Sequence, residues 1–252
     1  MKLGISAMAY DIKEKIEICK ELKFNHIEVG IDNLEDWNFL YEQIEKLKRN
    51  DISIGIHMPM ELNTCETVKY INKCWVDFFL ENYKRGKLLN VKYYNLHLGY
   101  GLKNRVKKQR KNYLDNTVHF LLMLIKKMTD IDIYIENTYS LDGDLVNLGN
   151  DAGDFEYIFK NVKSENLGFC YDTGHNLIDK SDYLNKLHSY IKLIHLSDND
   201  GKSDLHMGLN ENGLLREEDI KYLLKLKNVK YIVLEMDKKF FQTSKNIILK
   251  NL

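Results

Sequence analysis

Proline occurs once in this chain of 252 residues, at Pro59, and cysteine four times, at Cys19, Cys65, Cys74 and Cys170. With a single proline, placed just after an extended run, every other β-like segment is free to sit in the middle of a sheet, where a missing N–H would break the ladder. The cysteines have no paired CxxC spacing, which argues against a thiolate zinc site and points to free, buried thiols. Long apolar runs are lacking too: none approaches the ~20 residues that cross a bilayer. The opening MKLGISAMAY is too short for a secretory apolar region plus cleavage site, and reads as a first strand. The expectation is a cytoplasmic protein with no membrane partner. Neither sign of charge dominates, with 37 basic and 37 acidic side chains. No global field therefore draws the chain to nucleic acid or anionic lipid, and local patches decide. Low-complexity tracts, linkers and repeats at a period of roughly 20 to 50 residues are all missing. One domain over residues 1–252 is expected.

What is present is alternation. Short β-rich runs fall at 2–6, 26–29, 52–57, 93–97, 132–136, 167–171, 191–195 and 231–235. Between them lie stretches with helical spacing of apolar residues, such as Ile12, Ile16, Cys19 and Leu22. Further helical patterns fall near 34–49, 67–83, 105–129, 152–161, 181–189 and 216–227, with a short one near 243–250. Eight strands with intervening helices predict an α/β fold, a (β/α)8 barrel; the alternative is an open doubly wound sheet.

The residue that closes each strand carries the functional signal. His57 ends ISIGIH, His97 ends YYNLH, Glu136 ends DIYIE, Asp172 follows GFCY, His195 ends IKLIH and Glu235 ends YIVLE. In a parallel barrel these ends converge on one rim, where the chemistry of such folds is built. Two further pairs lie beside that rim: His175 three residues after Asp172, and Asp204 with His206 in the loop HLSDNDGKSDLHMG. Singly, each has a plainer explanation. A histidine can pack, Asp172 can cap a helix, and Asp204 and His206 can be ordinary loop residues. Glu136 and Glu235 resist it, because a carboxylate ending an apolar strand must be solvated, paired or metal-bound. Jointly, five imidazoles and four carboxylates make the ligand set of zinc, manganese or iron. His26, His119 and His188 occupy positions that read as structural or solvent-exposed.

In order along the chain, IHMP, NLHLG, IENT, CYDTGH, IHLSDNDG, SDLHMG and LEM resemble the xylose-isomerase-like TIM barrels, a superfamily that includes endonuclease IV and many sugar isomerases and epimerases. The resemblance spans nearly the whole chain. The resemblance implies one to three divalent ions, zinc or manganese, and in the endonuclease IV branch it implies three. The first would be held by His57, His97 and Glu136, the second by Glu136, Asp172, His195 and Glu235, and the third by His175, Asp204 and His206. The activity it implies is phosphoester hydrolysis. The isomerase branch implies one ion on Glu136, Asp172, His195 and Glu235, with both glutamates also moving protons beside a sugar carbonyl. There His175 would meet substrate oxygens.

Local sequence pulls both ways. HMPM stands where the endonuclease branch carries an HAPY-like motif, so Met60 replaces a stacking aromatic, and HIEVGIDNLEDW has no basic residue for reading DNA. Residues 84–111 carry ten Lys/Arg and no Asp/Glu, and Lys103 and Arg105 leave a strand at the presumed rim, where they could draw in a phosphate. The leading expectation is a metal-dependent hydrolase acting on a phosphoester of a small sugar-containing substrate, with nucleic acid less favoured. A sugar or sugar-phosphate isomerase or epimerase is the alternative, and a non-catalytic metal-binding protein the third option. Glu136 and Glu235 are the expected catalytic residues.

Overall fold

The computed structural model describes residues 1–140 and 143–252. Its strands are β1 (Lys2–Met8), β2 (His26–Gly30), β3 (Ser53–His57), β4 (Tyr93–His97), β5 (Tyr100–Leu102), β6 (Asp132–Glu136), β7 (Leu145–Asn147), β8 (Leu167–Asp172), β9 (Ile191–Leu196) and β10 (Tyr231–Leu234). Eight of them form a closed barrel in the order β1-β10-β9-β8-β6-β4-β3-β2, every pairing parallel. The expected (β/α)8 barrel is therefore the fold, and the open sheet is excluded because β1 pairs with β10. The strands β5 and β7 make a separate antiparallel pair on the rim.

Strand alternation builds two different environments. Outward residues such as Ile133, Ile135, Ile194, Ile232 and Leu234 are buried in the apolar core shared with the helices. Tyr93, Tyr134, Cys170, Leu193 and Val233 form a second cluster inside the ring. A Cβ at Gly55 would collide with the Tyr93 ring, so a glycine on β3 is what lets that tyrosine fill the interior. His26 lies in the same interior, fully buried, its ring nitrogens 2.9 Å from Ser53 Oγ and 2.8 Å from the Tyr93 hydroxyl. The structural role expected for it fits these contacts.

The helices follow the apolar pattern with local departures. Ile12–Leu22 buries Ile12, Ile16 and Cys19 and stops at Lys23, whose φ of 56° is left-handed. The stretch expected as one helix at 34–49 is instead a 3-10 turn and two short helices, Trp37–Tyr41 and Ile44–Arg49. Lys103–Ile125 carries a kink at Gln109. No described helix is long and apolar enough to cross a membrane.

Candidate metal centre

Because β3, β4, β6, β8, β9 and β10 run parallel in register, their last inward side chains reach one level. His97 pairs with Glu136, and Asp172 with His195. Glu235 lies one residue beyond β10, its backbone N–H donating to Leu196 O. The structure thus brings together all nine residues singled out at the strand ends and in the two flanking pairs. His57, His97, Glu136, His175, Asp204, His206 and Glu235 line one cavity of about 450 Å³, and Asp172 and His195 lie buried beneath it.

The contacts fall into three groups. His57 Nε2 is 3.3 Å from one oxygen of Glu136, and His97 Nε2 is 3.4 Å from the other. His195 Nδ1 is 3.3 Å from Glu136 Oε1, 3.2 Å from Glu235 Oε1 and 3.8 Å from Asp172 Oδ2. Asp204 Oδ2 is 3.3 Å from His175 Nε2 and 3.2 Å from His206 Nε2. Ligands about 2.1 Å from a shared tetrahedral ion stand roughly 3.4 Å apart, so this spacing suits cation binding.

Two further observations fit a metal. Asp172 Oδ2 and His195 Nδ1 are buried without a hydrogen-bond partner, a costly state that an ion would relieve. The imidazoles are also oriented as ligands are. His57 Nδ1 is 2.7 Å from Met58 O, His175 Nδ1 is 2.9 Å from Asn137 O, and His206 Nδ1 is 3.1 Å from Glu235 O. Each carbonyl accepts the outer N–H and leaves Nε2 facing the carboxylates, the usual arrangement of metal-binding histidines. Asp172 caps a helix and still has an oxygen to spare. Its Oδ1 accepts from the His175 backbone at 2.7 Å, capping the helix Thr173–Ile178, while Oδ2 stays free.

Without an ion the groups compensate one another. Burial disfavours charge on Glu136, but the imidazoles of His195 and His97 outweigh it and hold the carboxyl well below its ordinary range. Burial also works against His57 and His175, yet carboxylates raise them to about 9 and about 10, Glu136 acting on the first and Asp172 most strongly on the second. His97 goes the other way, because burial prevails there. Glu235 is raised: burial outweighs the attraction of His195, and the nearby Asp172 and Glu136 add to it.

Two side chains in the barrel went unnoticed because they lie inside strands. Glu28 on β2 is buried, with Oε1 2.8 Å from His195 Nε2. Asn95 on β4 donates to Glu136 Oε2 at 2.5 Å. Both occupy inward positions two residues before a strand's last inward residue, so alternation, rather than strand ends, was the signal. Lys103 and Arg105 are exposed at the start of Lys103–Ile125 and do not line the cavity. Among the described residues its one Lys or Arg is Lys15, 3.6 Å from Asp11. Met8, Met58, Met60 and Met236 also line the cavity.

With this arrangement in view, comparison with known proteins gives the class. Residues 16–248 match the family model described as xylose isomerase-like TIM barrel, and the chain belongs to that family. An uncharacterized protein of Methanocaldococcus jannaschii is 25% identical over 93% of this chain and 92% of its own. A probable endonuclease 4 of Aquifex aeolicus is 28% identical, over 52% of this chain and 45% of its own. A solved structure described as a D-tagatose 3-epimerase-like protein superposes with a TM-score of 0.86 at 22% identity, covering 100% of this chain and 97% of that one.

Proposed function

We propose that the protein is a metal-dependent epimerase or isomerase of a small sugar. The observation that carries this reading is the pair Glu136 and Glu235, which flank one imidazole nitrogen at 3.3 and 3.2 Å and open on the same cavity. Their environments push the two carboxyls in opposite directions, the pattern of an acid–base pair. A divalent ion on Glu136, Asp172, His195 and Glu235 would supply Lewis-acid polarisation of a carbonyl. One glutamate would take the proton from the carbon beside that carbonyl, the C–H pair moving into the C–C bond and the carbonyl π pair onto oxygen. Return of a proton by the other glutamate on the opposite face inverts the carbon; return at the former carbonyl carbon, with the hydroxyl proton of the first carbon passing to the former carbonyl oxygen, isomerises. The carboxylate-lined walls and the thioethers suit an uncharged polyol with an apolar carbon face better than a phosphate.

Phosphoester hydrolysis, the leading expectation from sequence, becomes the second reading. It is favoured by the two additional ligand groups, His57 with His97 and Asp204 with His206, which a single-ion epimerase does not need. The two separate in one experiment. Zinc- and manganese-loaded protein is assayed on free ketoses, sugar phosphates and an abasic-site duplex, beside a His57→Ala, His97→Ala double variant. Ketose epimerisation that survives the double substitution supports the proposal. Phosphate release that disappears with it overturns the proposal in favour of hydrolysis.

A further inference from the structure

We infer that Glu28 is a positioning residue that fixes the tautomer and direction of His195, an inference resting on the metal-centre reading above. The carboxylate is 2.8 Å from Nε2 of an imidazole that is itself completely buried. Only one nitrogen of His195 can face Glu136, Asp172 and Glu235 as a lone pair, and that is Nδ1. Nε2 must then carry the proton and needs an acceptor. The hydrogen-bond contact at Nε2 from β4 is Asn95 Nδ2, at 3.4 Å, an amide donor already directed at Glu136, and the Cys170 thiol beside the ring is only a weak acceptor. Glu28 Oε1 is therefore the acceptor. Its second oxygen is buried without a partner, and the Tyr93 hydroxyl, 2.8 Å from His26 Nε2, is the other group beside the carboxylate.

His195 differs in this respect from His57, His175 and His206, whose outer nitrogens face neutral backbone carbonyls. A carboxylate behind an imidazole raises its basicity as a ligand and locks its ring. The imidazole so treated is the one that touches both proton-moving glutamates. The register explains how β2, which places no ligand on the rim, reaches it: Gly30 pairs with His57, and Glu28, two residues deeper, pairs with Gly55, where the absent Cβ makes room for the Tyr93 ring beside the carboxylate.

The test uses chelator-stripped full-length wild type, Glu28→Met and Glu28→Gln, titrated with cobalt(II) and zinc while the visible cobalt band is recorded. Glu28→Met keeps the volume but has no acceptor, and should weaken the tightest site by about 10–100-fold and shift the band. Glu28→Gln still offers an amide oxygen and should recover most of the affinity. A folded Glu28→Met that binds cobalt as wild type does, with an unchanged spectrum, overturns the inference while leaving the metal centre standing. Wild type that binds no ion overturns the metal centre itself, and the inference with it. Should Glu28→Met fail to fold, the imidazole 15N shifts of His195 in the wild type decide: a proton on Nε2 supports positioning, and a proton on Nδ1 refutes it.

Discussion

Four imidazoles have a ring nitrogen within 3.5 Å of Glu136: His57, His97, His175 and His195. A glutamine there keeps the shape but can neither carry a proton nor offer two anionic oxygens to those rings, so Glu136→Gln should lower turnover by about 10²–10⁴-fold, the range for losing a positioned acid–base group. Circular dichroism should stay unchanged, and an active variant would remove Glu136 from the chemistry. Asp172→Asn tests a narrower point. The amide oxygen can still cap the helix Thr173–Ile178, whereas the free carboxylate oxygen is lost. Metal stoichiometry should fall while the melting temperature of the metal-free protein moves little; a large loss of stability with full metal binding would make Asp172 a cap and nothing more.

At the scale of elements, the loop after β9 carries Asp204 and His206 and is held by Asp198. Asp198 exchanges backbone hydrogen bonds with Met207 at 3.0 and 2.8 Å, and its buried side chain accepts from Asn199 and Leu215 at 2.9 and 2.8 Å. Asp198→Ala orphans those donors at a cost of about 1–3 kcal/mol, and limited proteolysis should then cut within 200–215. Resistance equal to wild type would show that other contacts hold the loop. The eight strands were legible because each is a short β-rich run and six of them close on a polar residue, and the rim ligands because barrel geometry turns strand ends into neighbours. The pair β5 and β7 was not, since YGL and LVN are too short to show a period and are defined by pairing across 43 residues of sequence, from Leu102 to Leu145. Likewise Glu28 is one charge inside HIEVG, and only its distance to His195, far along the chain, gives it a meaning.

For the whole molecule, stability in acid is expected to track His26. Burial pushes its pKa from 6.5 down to about 3, so the folded protein holds it neutral. Between those values the unfolded chain binds more protons. Stability present above 6.5 is therefore lost as pH falls toward 3, at up to about 1.4 kcal/mol per unit. In metal-free protein the raised His57 and His175 act with the opposite sign, losing their contribution as pH rises through about 9 and 10. Comparing denaturant midpoints of wild type and His26→Gln at pH 7 and pH 4.5 isolates the first effect. Equal losses in both proteins would assign acid unfolding elsewhere.

Ring closure also sets an order of assembly. During synthesis β1 emerges first, but its pairing with β10 must wait until Tyr231–Leu234 has left the ribosome. Glu235 follows at once, the last of the nine rim residues to be made. A nascent chain arrested before Tyr231 thus carries eight of the nine candidate ligands on an arc with two open edges. The segment that seals the ring also delivers the final carboxylate.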